Sequence, residues 1–161
     1  MMAAGFGLLA GAVSAQVKPG DAFPPIAAAE FDGVLPATAG QVVLVDFWAS
    51  WCAPCRASFP AYARLQGAYA ARGLVILAVS VDRAPAAFTA FVRKLNPPFS
   101  TVRDRGQKLV REVAVPTMPS SYLVGRDGTV RFVHAGFYGE RTERELRSEI
   151  ESLLRERPPP S

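Results

Sequence analysis

Two apolar runs limit what this chain can fold into more than any other feature. Val42-Val43-Leu44-Val45-Asp46-Phe47-Trp48 and Leu74-Val75-Ile76-Leu77-Ala78-Val79-Ser80-Val81 show no polar alternation. That is the pattern of a strand buried on both faces. Between them a helix is expected from about Ala53 to Ala71, with Phe59, Tyr62 and Tyr69 on related faces. Pro60 inside it should kink it, and Gly73 should close it. Two buried strands joined by a helix make a right-handed βαβ unit. The chain has 161 residues, half of them apolar, enough for one domain with a real core.

The remaining elements are read from shorter signals. Ala27 to Phe31, Asp32-Gly33 and Val34-Leu35 suggest a short hairpin with Asp-Gly as its turn. Phe88, Phe91, Val92 and Leu95 fall at helical spacing, and Asn96-Pro97-Pro98 ends that helix. A short strand near Ser100 to Val102 and a brief helix over Gln107 to Val113 follow. Ser121 to Val124 and Thr129 to Val133 flank Gly125-Arg126-Asp127-Gly128 and should pair as an antiparallel hairpin. A last helix from about Thr142 to Arg155 buries Leu146, Ile150, Leu153 and Leu154, with Thr142 and Glu145 placed as a capping box. There is no internal repeat. Residues 16–25 read as a linker, 26–156 as the domain and 157–161 as a frayed tail.

The chemistry sits at the junction of the first apolar strand and its helix. Trp51-Cys52-Ala53-Pro54-Cys55 holds the only two cysteines in the chain. Two thiols at this spacing, at a strand-to-helix turn, read as a dithiol/disulfide centre. Unpaired N–H groups and the positive end of the helix dipole favour the thiolate of the first cysteine. The second is close enough to attack a mixed disulfide made by the first. Two cysteines and one histidine, His134, cannot complete a four-ligand zinc site within one chain. A soft Cu(I) site from Cys52, Cys55 and Met118 is the metal-binding alternative. A purely structural disulfide closing so short a loop would stabilise little. His134 reads as an ordinary strand histidine.

Asp46 interrupts an otherwise apolar strand. Buried and unpaired, its carboxylate is costly and its pKa should rise. The alternative is a strand-end residue reaching solvent.

Met1 to Ala15 carry no charged side chain, and Val13-Ser14-Ala15 has the small residues of a cleavage site. The segment reads as an export signal lacking its basic start, or as a short anchor, although a membrane span needs about 20 residues. The net charge of +4 is interspersed, with no basic stripe carrying aromatics, so nucleic-acid binding gets little support.

The segment from Phe47 to Arg56, with Pro60 downstream, closely resembles the active-site segment of thioredoxin-fold proteins, specifically the TlpA/ResA-like exported thiol-disulfide oxidoreductases. Ala28 to Gly33 resembles that group's N-terminal hairpin. Val79 to Asp82 with the following helix resembles its central insertion. Val115 to Val124 with Arg126-Asp127-Gly128 resembles its cis-proline strand and hairpin. The resemblance spans about Pro19 to Arg155.

It implies an α/β thioredoxin fold, with a central mixed sheet flanked by helices. It implies a periplasmic, exported enzyme, soluble or N-terminally anchored, that exchanges its dithiol with protein disulfides. The direction implied is reduction, fed by a membrane-bound electron donor, with cytochrome c maturation factors among the partners. No cofactor is implied beyond the redox-active Cys52–Cys55 disulfide. Cys52 would be the attacking thiol, exposed at the helix start, and Cys55 the resolving thiol. Asp46 would accept the proton of Cys55. Trp51, Pro54, Met118 and the cis-proline Pro119 would meet substrate. Many members of the group have Asn in place of Asp46 and a Glu where this chain has Ser58, so here the chain departs toward thioredoxin proper. Peroxiredoxins share much of this core, which makes a thiol peroxidase the second enzymatic reading.

Overall fold

The computed structural model describes residues 15–26 and 30–157. Both apolar runs form central strands. The elements in order are β1 (Phe31–Asp32), β2 (Val42–Trp48), α1 (Ala53–Tyr69, continued by a 3₁₀ turn at Ala70–Arg72), β3 (Leu74–Ser80), α2 (Pro85–Leu95), β4 (Ser100–Asp104), α3 (Lys108–Val113), β5 (Ser120–Val124), β6 (Val130–Ala135) and α4 (Glu140–Arg155). They build one six-stranded sheet in the order β1-β4-β3-β2-β5-β6. Strands β2, β3 and β4 run parallel, while β5, β6 and β1 add antiparallel to its two sides. The buried runs take the centre because only a central strand can be covered on both faces.

Alternation along β2 feeds two cores. Val42, Leu44 and Trp48 pack with Ile76, Phe59, Phe88, Phe91, Leu146 and Ile150, under α1, α2 and α4. Val43, Val45 and Phe47 pack with Leu77, Val79, Leu109 and Val113 on the opposite face, beneath α3. Trp48 lies 4.5 Å from Phe91 and 5.0 Å from Phe59 between ring centroids. Those aromatics form a rigid floor where β2 gives way to the cysteine-bearing turn.

Three local expectations turn out differently. Phe31–Asp32 pairs with β4 instead of closing a hairpin on Val34-Leu35; Val34 stands exposed, and residues 27–29 lie outside the described part. Burial of Phe31 in the lower core and the Asp32–Arg103 ion pair hold that strand to β4. Helix α4 begins earlier than the capping box suggested, with Gly139 as its N-cap at φ 64°, a conformation that glycine adopts at little steric cost. Thr142, one turn further in, accepts from the Tyr138 amide at 3.0 Å. Residues 16–25, read as a linker, lie along the domain: Val17 N–H bonds Val113 C=O, and Gly20 N–H bonds Val130 C=O. Pro60 lies within α1, which continues through it. The N-terminal export segment falls, but for Ala15, outside the described residues. No described helix is long and apolar enough to cross a membrane.

Candidate active site

Cys52 is the N-cap of α1, and Pro54 occupies its first turn, the helix position where a missing N–H costs nothing. Cys52 and Cys55 are joined as a disulfide, with Cα atoms 5.3 Å apart. The backbone N–H of Cys55 donates to Cys52 Sγ at 3.3 Å. The same amide is therefore placed to stabilise a Cys52 thiolate once the bond is reduced. The opening is tighter than the sequence implied: Cys52 is only 5% exposed and Cys55 is fully buried. In the oxidised pair both sulfurs belong to the apolar cluster of Trp48 and Phe59, and Met118 packs against that cluster. Trp51, in contrast, stands 70% exposed beside Cys52. Trp48 is wholly buried, so the two tryptophans divide between surface and core.

The Met118–Pro119 peptide bond is cis. Pro119 C=O accepts from Gly136 N–H at 2.7 Å, which fastens this turn to the loop after β6.

Asp46 is completely buried, and the solvent-reaching alternative does not hold. Its Oδ1 accepts from the Tyr62 hydroxyl at 2.8 Å, while Oδ2 has no partner among the described residues. Burial pushes the carboxyl up to about 8, and the Tyr62 hydrogen bond pulls in the opposite direction. The group is therefore poised to exchange a proton near neutral pH, as a general acid or base must be. Parity along β2 places Asp46 with Leu44 and Trp48, on the side of the sheet where α1 carries both cysteines.

Two further residues shape the turn, and the sequence reading gave neither a role. Asp82, at the end of β3 and nearly buried, accepts from Ser50 N–H at 3.1 Å and from Ser50 Oγ at 2.8 Å. Ser80 Oγ donates to it at 2.8 Å. Arg103 donates to the backbone C=O of Asp82 and Arg83 and pairs with Asp32. A chain of polar contacts thus runs from β1 to the turn that presents Cys52. The only local hint was the Ser80-Val81-Asp82 end of an apolar run; its partner Ser50 is 32 positions away. Ser58 Oγ, one turn after Cys55, donates to the Cys55 carbonyl at 2.8 Å. His134 takes no part: its Nε2 lies 2.7 Å from Glu149 on α4. Among the described residues no group of three or more His, Cys, Asp or Glu side chains is arranged to hold a metal ion.

A CxxC disulfide capping the first long helix of a β2-α1-β3 unit, with a cis-proline turn packed against the same cluster, defines a thioredoxin-fold protein with a dithiol/disulfide centre. The model of the AhpC/TSA family matches residues 19–133. Thiol-disulfide oxidoreductase ResA of Bacillus thuringiensis (strain Al Hakam) and that of Bacillus anthracis are each 30% identical to this chain over 114 residues. Those 114 residues are 71% of this chain and 64% of each relative, so the match spans a little under two thirds of the relatives' length. The crystal structure of a protein assigned as thiol:disulfide interchange protein DsbE from Chlorobium tepidum superposes with a TM-score of 0.76. It is 31% identical, with 86% of this chain and 99% of that one covered. A secreted Mycobacterium tuberculosis disulfide oxidoreductase shares the fold at a TM-score of 0.62 and 22% identity, over 72% of this chain and 84% of its own. The chain belongs to the AhpC/TSA family and, within it, to the ResA/TlpA-like thioredoxin-fold group.

Proposed function

We propose that this protein is a thiol-disulfide oxidoreductase that exchanges the Cys52/Cys55 pair with disulfides of other proteins. The observation that carries the reading is the Cys52–Cys55 disulfide at the N-cap of α1, with the Cys55 amide donating to Cys52 Sγ. The names of the ResA relatives and of the DsbE structure support it.

In the reducing direction the Cys52 thiolate attacks a substrate disulfide. One substrate sulfur leaves as a thiolate and a mixed disulfide forms. Cys55 gives its proton to the Asp46 carboxylate, and the Cys55 thiolate then attacks Cys52 Sγ. The substrate's second sulfur leaves, and the intramolecular disulfide is restored. Two electrons pass from the pair to the substrate. The substrate thiolates take up two protons, one drawn from the Cys55 thiol through Asp46. Trp51, Pro54, Met118 and Pro119 form the surface that an extended substrate segment meets, its backbone pairing beside Met118.

Reduction is the favoured direction, because Asp46 is a proton acceptor on the side of the sheet where α1 carries the resolving thiol. A membrane-bound donor would re-reduce the pair. The uncharged, apolar N-terminal sequence supports export to the cell envelope, either as a cleaved signal or as a short anchor, and cytochrome c maturation factors are the candidate partners within that compartment. The test is turnover of a protein disulfide by the dithiol form, with Cys55→Ser expected to accumulate a mixed disulfide at Cys52. Consumption of peroxide at a comparable rate would instead place the protein with the thiol peroxidases. Tight Cu(I) binding without turnover would make it a metal-binding module.

A further inference from the structure

Asp46 has lost the usual means of stabilising a buried carboxylate. None of the ion pairs among the described residues involves it. Across the sheet it faces Ala78 on β3 and Ser121 on β5. Helix α1 contributes Tyr62, Ser58 and the disulfide. The acids of α4 are engaged elsewhere: Glu140 with Arg144, Glu143 with Arg64, Glu145 and Glu149 with His134, and Glu151 with Tyr69. Among the described residues the Tyr62 hydroxyl, itself buried, is the one donor that reaches the carboxylate. Ser58 and Ser121 lie beside the Tyr62 hydroxyl, and both act against the upward push that burial gives it. Ser58 also holds the Cys55 carbonyl, so the cluster is tied to the backbone of the resolving cysteine.

We propose that Tyr62 is the positioning residue of the proton-transfer step: it anchors Oδ1, leaves Oδ2 as the atom that receives the Cys55 proton, and sets the pH at which that transfer occurs. The inference rests on the oxidoreductase reading and extends it. Tyr62 keeps its own proton throughout, and the transferred proton moves only between Cys55 Sγ and Asp46 Oδ2. A hydrogen bond to the ionised carboxylate favours the charged form. The tyrosine therefore works against burial and holds the Asp46 carboxyl lower than burial alone would. Ser121 stands opposite Asp46 on β5 and lies near the Tyr62 hydroxyl, whereas Ser58 donates its own hydrogen to the Cys55 carbonyl.

The test is Tyr62→Phe, which keeps the ring and removes one hydroxyl. The Asp46 carboxyl is followed in the oxidised protein by NMR of ¹³C-labelled aspartate, and the pH–rate profile of protein-disulfide reduction is measured alongside. Loss of a hydrogen bond to a charged group should move the Asp46 titration upward by about one to two pH units. The rate profile should move with it, and Tyr62→Phe combined with Asp46→Asn should show the profile of Asp46→Asn alone. An Asp46 titration that stays in place or moves down overturns the inference. Should Tyr62→Phe fail to fold, Ser121→Ala decides: a smaller upward shift supports the inference, and no shift overturns it. The NMR titration needs no turnover. Absence of disulfide reduction by the wild-type protein, with the titration shifted in Tyr62→Phe, therefore counts against the oxidoreductase reading, whereas normal reduction by both proteins with an unshifted titration counts against Tyr62 alone.

Discussion

Asp46→Asn should change the pH dependence of stability by an amount that follows from burial. The carboxyl titrates at about 8 in the folded protein, against 3.8 ordinarily. For an acid raised in this way, the native state keeps a proton that the unfolded chain has already released. Stability is then fully present below the unfolded value and is lost as pH rises toward the folded one. The loss is roughly 1.4 kcal/mol for each pH unit in that window. Between about pH 5 and pH 8 the wild-type protein should lose about 4 kcal/mol relative to Asp46→Asn. The asparagine keeps an acceptor for Tyr62 but brings an amide N–H into the place where Oδ2 has no partner. That penalty, about 1–3 kcal/mol, does not depend on pH. The slope of the difference is therefore the test, and its intercept is not. Urea unfolding of the oxidised proteins at a series of pH values supplies it. Parallel curves for the two proteins would refute a buried carboxyl with a raised pKa.

Asp82→Ala should leave the Ser50 amide and hydroxyl without their acceptor and cost about 1–3 kcal/mol, read from the urea midpoint. The same substitution should alter the rate at which the reduced pair reacts with a small alkylating agent, because it releases the turn carrying Cys52. Trp48→Ala should cost about 3–5 kcal/mol, since the indole fills the core behind the site. Trp51→Ala should change stability by less than about 0.5 kcal/mol, as an exposed residue, while lowering turnover of a protein disulfide. Equal stability losses for the two tryptophans would contradict the division between surface and core. Cys52→Ser should abolish both turnover and the mixed disulfide, whereas Cys55→Ser should abolish turnover alone.

The order of elements and the position of the cysteines were legible because they rest on local signals. A short, β-branched apolar run without alternation is what a central strand requires, and the run ending at Trp48 leads straight into Cys52. Asp46 was legible for the same reason: a carboxylate stands out in a strand buried on both sides. Its partner was not. Helical spacing placed Tyr62 on a face related to those of Phe59 and Tyr69, but only the packing of α1 on β2 shows that its hydroxyl, rather than a cation, reaches Oδ1. The Ser50–Asp82 clamp joins two loops across the end of the sheet, and no local pattern reports a contact at that separation. Local rules also misled where tertiary contacts outweighed them. Asp32-Gly33 has the composition of a hairpin turn, yet Gly33 at φ 109° passes close to Thr101 C=O, and the strand before it joins β4. Thr142 and Glu145 have the spacing of a capping box, yet Gly139 begins α4 earlier.

The reduction potential of the Cys52/Cys55 pair tests the central claim most directly. The protein, starting at Gln16, would be equilibrated in thiol/disulfide buffers and its free thiols trapped by alkylation. A single two-electron transition near that of thioredoxin, about −270 mV, is the expected result. A value near −120 mV would reverse the direction and make the protein a disulfide donor. A pair that shows no two-electron transition would contradict the oxidoreductase account altogether.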